Sequence, residues 1–93
     1  MNTDTTINEA EILSRVIAPE EPTLPADTAK IILTFDFRKE DRERMNDLAE
    51  RAREGTLTAA EQTEIDCYER VGHFLSLLQS KARVSLRQAD SSD

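Results

Sequence analysis

Ninety-three residues carry 12 Lys+Arg against 19 Asp+Glu, a net charge of -7 and a pI near 4.7, with three Phe, one Tyr and no Trp. One Cys excludes an internal disulfide, and one Cys with one His falls short of the ligand set of a structural zinc site. No apolar run approaches the roughly 20 residues that cross a bilayer, and the polar, acidic start from Met1 to Glu11 does not read as a signal peptide, so the expected location is a reducing cytoplasm.

Two Gly, three Pro and an abundance of Ala, Leu, Glu and Arg predict an all-α single domain of three or four helices. Residues 1–6 have almost nothing to bury and are expected to be a disordered tail. The first helix spans about 7–17, with Ile12, Leu13, Val16 and Ile17 on one side and Glu9, Glu11 and Arg15 away from it. Pro19 stops it, because the residue before a proline is pushed out of the helical region. Pro19 to Pro25 is an extended connector.

A second short helix is expected over about 25–33, since a proline at a helix start forfeits no hydrogen bond. The stretch Lys30 to Phe37 also alternates as a strand does, with Ile31, Leu33, Phe35 and Phe37 on one face. No other segment alternates, so helix is the preferred reading, with Phe35 and Phe37 as core anchors in the turn that follows. A strand that pairs with a partner protein is the alternative.

The third helix, about 38–54, places Met45, Leu48, Ala49 and Ala52 at helical spacing. Its pairs Glu40–Arg44 and Asp47–Arg51 are attractive and Glu43–Asp47 repulsive, each worth a few tenths of a kcal/mol. Gly55 ends it where a left-handed residue is wanted. Thr58-Ala59-Ala60-Glu61 then forms a capping box that opens a helix over about 59–88, roughly 45 Å long. Residues 89–93 are expected to fray.

Ile65, Tyr68, Val71, Gly72, Leu75, Leu78, Ala82 and Leu86 trace one stripe on the long helix. The short connection to the third helix predicts an antiparallel hairpin, with Gly72 allowing close approach at the seam. The third helix is only about 24 Å long, so the distal half of the fourth, which also shows Phe74, Leu77 and Val84, needs another cover. Either the first two helices fold back over it or a second chain does.

Catalytic chemistry finds little support. His73 and Cys67 are six residues apart and nearly opposite on one helix, a poor geometry for a nucleophile–base pair. Cys67 is expected at the edge of the core, and His73 in solvent or at an interface. Glu61, Glu64 and Asp66 suit the positive end of the helix dipole, and no Glu-x-x-His motif accompanies them. No cofactor or metal is expected. Basic clusters at Arg38, Lys39, Arg42 and Arg44, and at Lys81, Arg83 and Arg87, are diluted by neighbouring carboxylates. A chain at -7 is a poor nonspecific DNA ligand.

Met45-Asn46-Asp47-Leu48-Ala49, Glu54-Gly55-Thr56-Leu57-Thr58-Ala59-Ala60-Glu61-Gln62, Tyr68, Val71 and Leu77-Leu78-Gln79-Ser80-Lys81-Ala82-Arg83 together resemble a group of small bacterial helical proteins. Their pattern is L-A-x-x-A-x-x-G-x-L-T-x-x-E, an aromatic, and L-L-Q-x-K-A-R, and they are often encoded beside HNH-type endonucleases. The resemblance covers about Leu48 to Leu86 and implies a binding or neutralising partner of such a nuclease, in the manner of an antitoxin. It carries no catalytic residues over.

The resulting expectation is a non-enzymatic interaction protein for a basic partner. Glu61, Glu64 and Glu69 would meet a basic channel, Phe74, Leu77 and Val84 would anchor apolar surface, and Lys81 with Arg83 would form the polar rim. A DNA-binding accessory protein using residues 38–44 and a plain helical homodimer are the alternatives.

Overall fold

The computed structural model describes residues 8–91. The expected tail at 1–6, the start of the first helix at Ile7 and the last two residues of the expected frayed end lie outside them. Four helices follow in order: α1 (Glu9–Ile17), α2 (Ala26–Ile32), α3 (Lys39–Glu54) and α4 (Ala59–Ser91). The fold is a small all-α one, without strands among the described residues, and its C-terminal helix is the longest element. The segment 30–37 is helix to Ile32, a turn through Leu33 and Thr34, and irregular chain beyond.

Local chemistry explains the ends. Asn8 caps α1 by accepting the Glu11 N–H at 2.9 Å, and Ala18 closes it in the left-handed region, at φ 51°, just before Pro19. Gly55 closes α3 at φ 72°. The capping box at α4 is formed in both directions: the Thr58 hydroxyl accepts the Glu61 N–H at 3.1 Å, and the Glu61 carboxylate accepts the Thr58 N–H at 3.0 Å. At its other end α4 runs to Ser91, since neither Gly nor Pro interrupts it after Gly72. Its 33 residues amount to about 50 Å of helix.

The chain divides into two compact units, both of which draw on α4. One takes the segment through Phe35 together with the chain from His73 onward, and so contains α1, α2 and the distal part of α4. Here the first two helices cover the distal apolar surface. Ala29, Ile32 and Ala82 form the core, with Leu24, Leu33, Leu78 and Leu86 packed against it. Ala29 and Ala82 are wholly buried, which fits two helices meeting on small residues. Phe35 is no core anchor: it is 48% exposed, because the chain turns at Leu33 and Thr34 and carries it outward.

The second unit, Asp36–Gly72, is the expected helical hairpin of α3 and the first part of α4. Its antiparallel sense is read from three cross-helix contacts, Asp41 with Tyr68, Arg44 with Glu64, and Arg51 with Glu61. Leu48, 1% exposed, is the one large side chain fully buried in it. Phe37 is half-buried and meets Tyr68 edge to face, with ring centroids 6.0 Å apart. Ala49, Ala52 and Val71 of the expected stripes are exposed. Three-residue steps drift around a 3.6-residue helix, so the seam passes through Gly72 rather than Val71.

Candidate functional site

The hairpin is clamped by charge. The Arg44 guanidinium donates to both oxygens of Glu64, at 2.8 and 2.9 Å, and lies 4.0 Å from Glu61. Arg51 donates to Glu61 as well. Arg44 and Arg51 are seven residues apart, two turns along one face, which puts both guanidiniums beside the first turns of α4. Glu61 is therefore engaged three ways, by its own capping box and by two arginines, and its side chain is only 13% exposed. The Thr58 N–H foremost, and then the two arginines, hold its carboxyl below the usual carboxylate range against the opposing effect of desolvation. The fork from Arg44 does the same to Glu64, and in return Arg44 is held still more firmly in its charged form. The Tyr68 hydroxyl donates to Asp41 at 2.8 Å, and that bond pushes its pKa up.

Of the acidic residues expected to face a partner, Glu61 and Glu64 are thus bound within the hairpin, and Glu69 alone is exposed without a side-chain partner among the described residues. The remaining candidates belong to the other unit. Phe74 is 40% exposed, while Leu77 and Val84 are half-buried. Lys81 is not a rim residue: its ammonium donates to the Ile17 carbonyl at 2.6 Å, at the end of α1. Arg83 is exposed and reaches Ser80 at 3.5 Å on its own helix.

The Gln79-to-Arg83 stretch acts as a clasp. The Gln79 amide donates to the carbonyls of Ile32, at the end of α2, at 3.2 Å, and of Phe35, just past the following turn, at 2.8 Å. Ala82 sits in the core. One helical turn on, the buried Ser85 hydroxyl accepts the Leu24 N–H at 3.1 Å. The bonds from Lys81 and Ser85 satisfy a carbonyl at the end of α1 and an N–H of the connector, whereas the Ile32 carbonyl also accepts the Phe35 N–H at 3.0 Å. The connector itself is turned rather than extended, with the Glu21 N–H donating to the Ala18 carbonyl at 3.0 Å. A lone serine in a basic helix end carries no sequence signal of burial, so the role of Ser85 is visible only in the fold.

Cys67 is exposed rather than at the edge of a core, and its sulfur accepts a contact from Arg70 at 3.4 Å. His73 is exposed. In the basic cluster at 38–44, Arg42 is paired with Asp36 and Arg44 with Glu64, which leaves Arg38 and Lys39 facing solvent. Among the described residues no group of His, Cys, Asp or Glu is arranged to hold a metal ion, and no helix is long and apolar enough to cross a membrane.

The hairpin also contains an apolar groove of about 310 Å³. Met45, Leu48 and Ala49 of α3, Ile65 and Tyr68 of α4, and Phe37 line it, with Gly72 and Glu69 completing the wall. Comparison with protein-family models, with curated proteins and with solved structures returned no match.

Proposed function

We propose that the chain is a non-enzymatic interaction protein that occupies, and neutralises or regulates, a basic partner such as an HNH-type nuclease. The observation that carries this reading is the number of large apolar side chains left uncovered in an acidic chain this small. In the unit of α1, α2 and distal α4, Ile12, Val16, Ile31, Phe35 and Phe74 are all exposed, Val16 to 74%. Burial of the exposed part of such side chains against a partner contributes roughly 1–2 kcal/mol each, whereas exposure in a free monomer stabilises nothing. The net charge of -7 favours encounter with a basic surface, and the resemblance of residues 48–86 makes a nucleic-acid enzyme the fitting kind of partner.

The test is capture from the native host with the tagged chain, at low and high salt, alongside a Phe74→Ser variant. Glu61, Glu64 and Lys81 are unsuitable for it, since changing them loosens the fold. One stoichiometric basic protein is expected, recovered at least tenfold less at high salt or by Phe74→Ser. Recovery of the bait alone in each condition would sink the reading.

A further inference from the structure

Gly72 stands inside a helix, where glycine costs about 1 kcal/mol relative to alanine, and nothing in its surroundings requires it. Gly55 is the described glycine with positive φ, so the backbone at 72 is one that any residue adopts. A Cβ added at Gly72 would meet only the Phe37 ring, at 3.9 and 4.0 Å, an ordinary van der Waals contact. What the missing side chain does is keep open the wall of the hairpin groove.

The rest of that wall is almost wholly apolar, and Glu69, an exposed residue, is the one lining residue that carries a charge. The neighbouring carboxylates of the hairpin are already used: Asp41 by Tyr68, Glu61 by Arg51 and its cap, Glu64 by Arg44. Glu69 has no such partner among the described residues. A volume of about 310 Å³ lies at the lower limit for organic ligands, suited to a bulky side chain rather than a large cofactor.

We propose that this groove is the docking site for an amphipathic basic segment of a partner protein, which seats one bulky apolar side chain against Gly72 and sets a flanking Lys or Arg against Glu69. The proposal deepens the interaction reading and rests on it. Charge complementarity names the occupant: an apolar anchor alone would leave Glu69 facing hydrocarbon at the rim, and an acidic segment would be repelled by it.

The full chain, labelled with ¹⁵N, is titrated with a synthetic leucine–lysine amphipathic peptide and with its leucine–glutamate counterpart. The lysine peptide is expected to shift the amides of Met45, Ala49, Glu69 and Gly72, and to bind at least tenfold more tightly than the glutamate one. Glu69→Gln should weaken it about two- to fivefold, and Gly72→Leu, which fills the groove, about tenfold or more. Gly72→Ala should weaken binding while raising the melting temperature, a pairing that a purely structural glycine would not produce. If Gly72→Leu loses helical signal, Gly72→Ala decides alone. Equal affinity for the two peptides, shifts confined to other residues, or unchanged binding in the folded variants would overturn the proposal. Recovery of the host partner by Gly72→Leu would overturn the groove and leave the interaction reading standing. Peptide binding in the groove without any host partner would do the reverse.

Discussion

Two residues close helices in the left-handed region, and they do so at different cost. Gly55, at φ 72°, has no Cβ to clash with the following carbonyl. Ala18, at φ 51°, does, and an alanine in that region is strained by roughly 1–2 kcal/mol. It is tolerated because Pro19 forbids the helix to continue, and because the Ala18 N–H still reaches the Ser14 carbonyl at 2.9 Å. Ala18→Gly should therefore stabilise the chain by about 0.5–1 kcal/mol, the relief of strain being partly offset by a more flexible unfolded chain. Gly55→Ala should destabilise it by about 1 kcal/mol. Urea midpoints compared at constant m-value test both, and a loss of stability in Ala18→Gly would contradict the strain argument.

At the scale of elements, α1 and α2 are each too short to persist alone in water, so their survival depends on what holds their ends. Lys81 and Gln79 take the C-terminal carbonyls of α1 and α2, and Ser85 takes the Leu24 N–H of the connector. Lys81→Met keeps the aliphatic stem and removes only the donor, so it isolates the bond at Ile17. Ser85→Ala leaves the Leu24 N–H without its acceptor. Each should cost about 1–2 kcal/mol, and Lys81→Met should raise amide exchange in α1 before it does so in α3. Uniform loss of protection would mean that the clasp is not local.

Much of this scale was legible in the chain itself. Asn8 escaped notice as a cap, but Pro19, Gly55 and the Thr58–Glu61 box mark ends that depend on neighbours a few residues away, and those ends fell where local rules put them. Phe35, Val71 and Lys81 were misplaced for one reason: their surroundings are set by residues far along the chain. An exposed phenylalanine and a buried one look alike in sequence, as do an arginine paired with its own helix and one that crosses to the next. The groove is of the same kind, since it depends on Met45, Ile65 and Gly72 meeting across a hairpin.

For the whole molecule, the two units differ in what stabilises them, and pH should separate them. The hairpin buries one large side chain, Leu48, and relies on Arg44–Glu64, Arg51–Glu61 and Tyr68–Asp41. The contacts that hold α1 and α2 to distal α4 use an ammonium, an amide, a hydroxyl and backbone groups. Glu61 and Glu64 have folded-state pKa values below their unfolded ones, so their contribution is present in full above the ordinary glutamate range. It is lost as pH falls through the lowered values. Tyr68 is displaced upward, so its contribution is complete below about pH 10 and is lost as pH climbs through the raised value. The hairpin is thus bounded on both sides, and on the acid side it should open first. Amide protection in α3, corrected for intrinsic exchange, should fall as pH drops from about 5 to 3 while that of Ala29 and Ile32 in α2 persists. Glu64→Gln should flatten the acid response of α3, because a neutral amide has no proton to gain. Simultaneous loss of protection in α2 and α3, with the same pH midpoint in the variant, would show that the clamp of charges does not govern the hairpin.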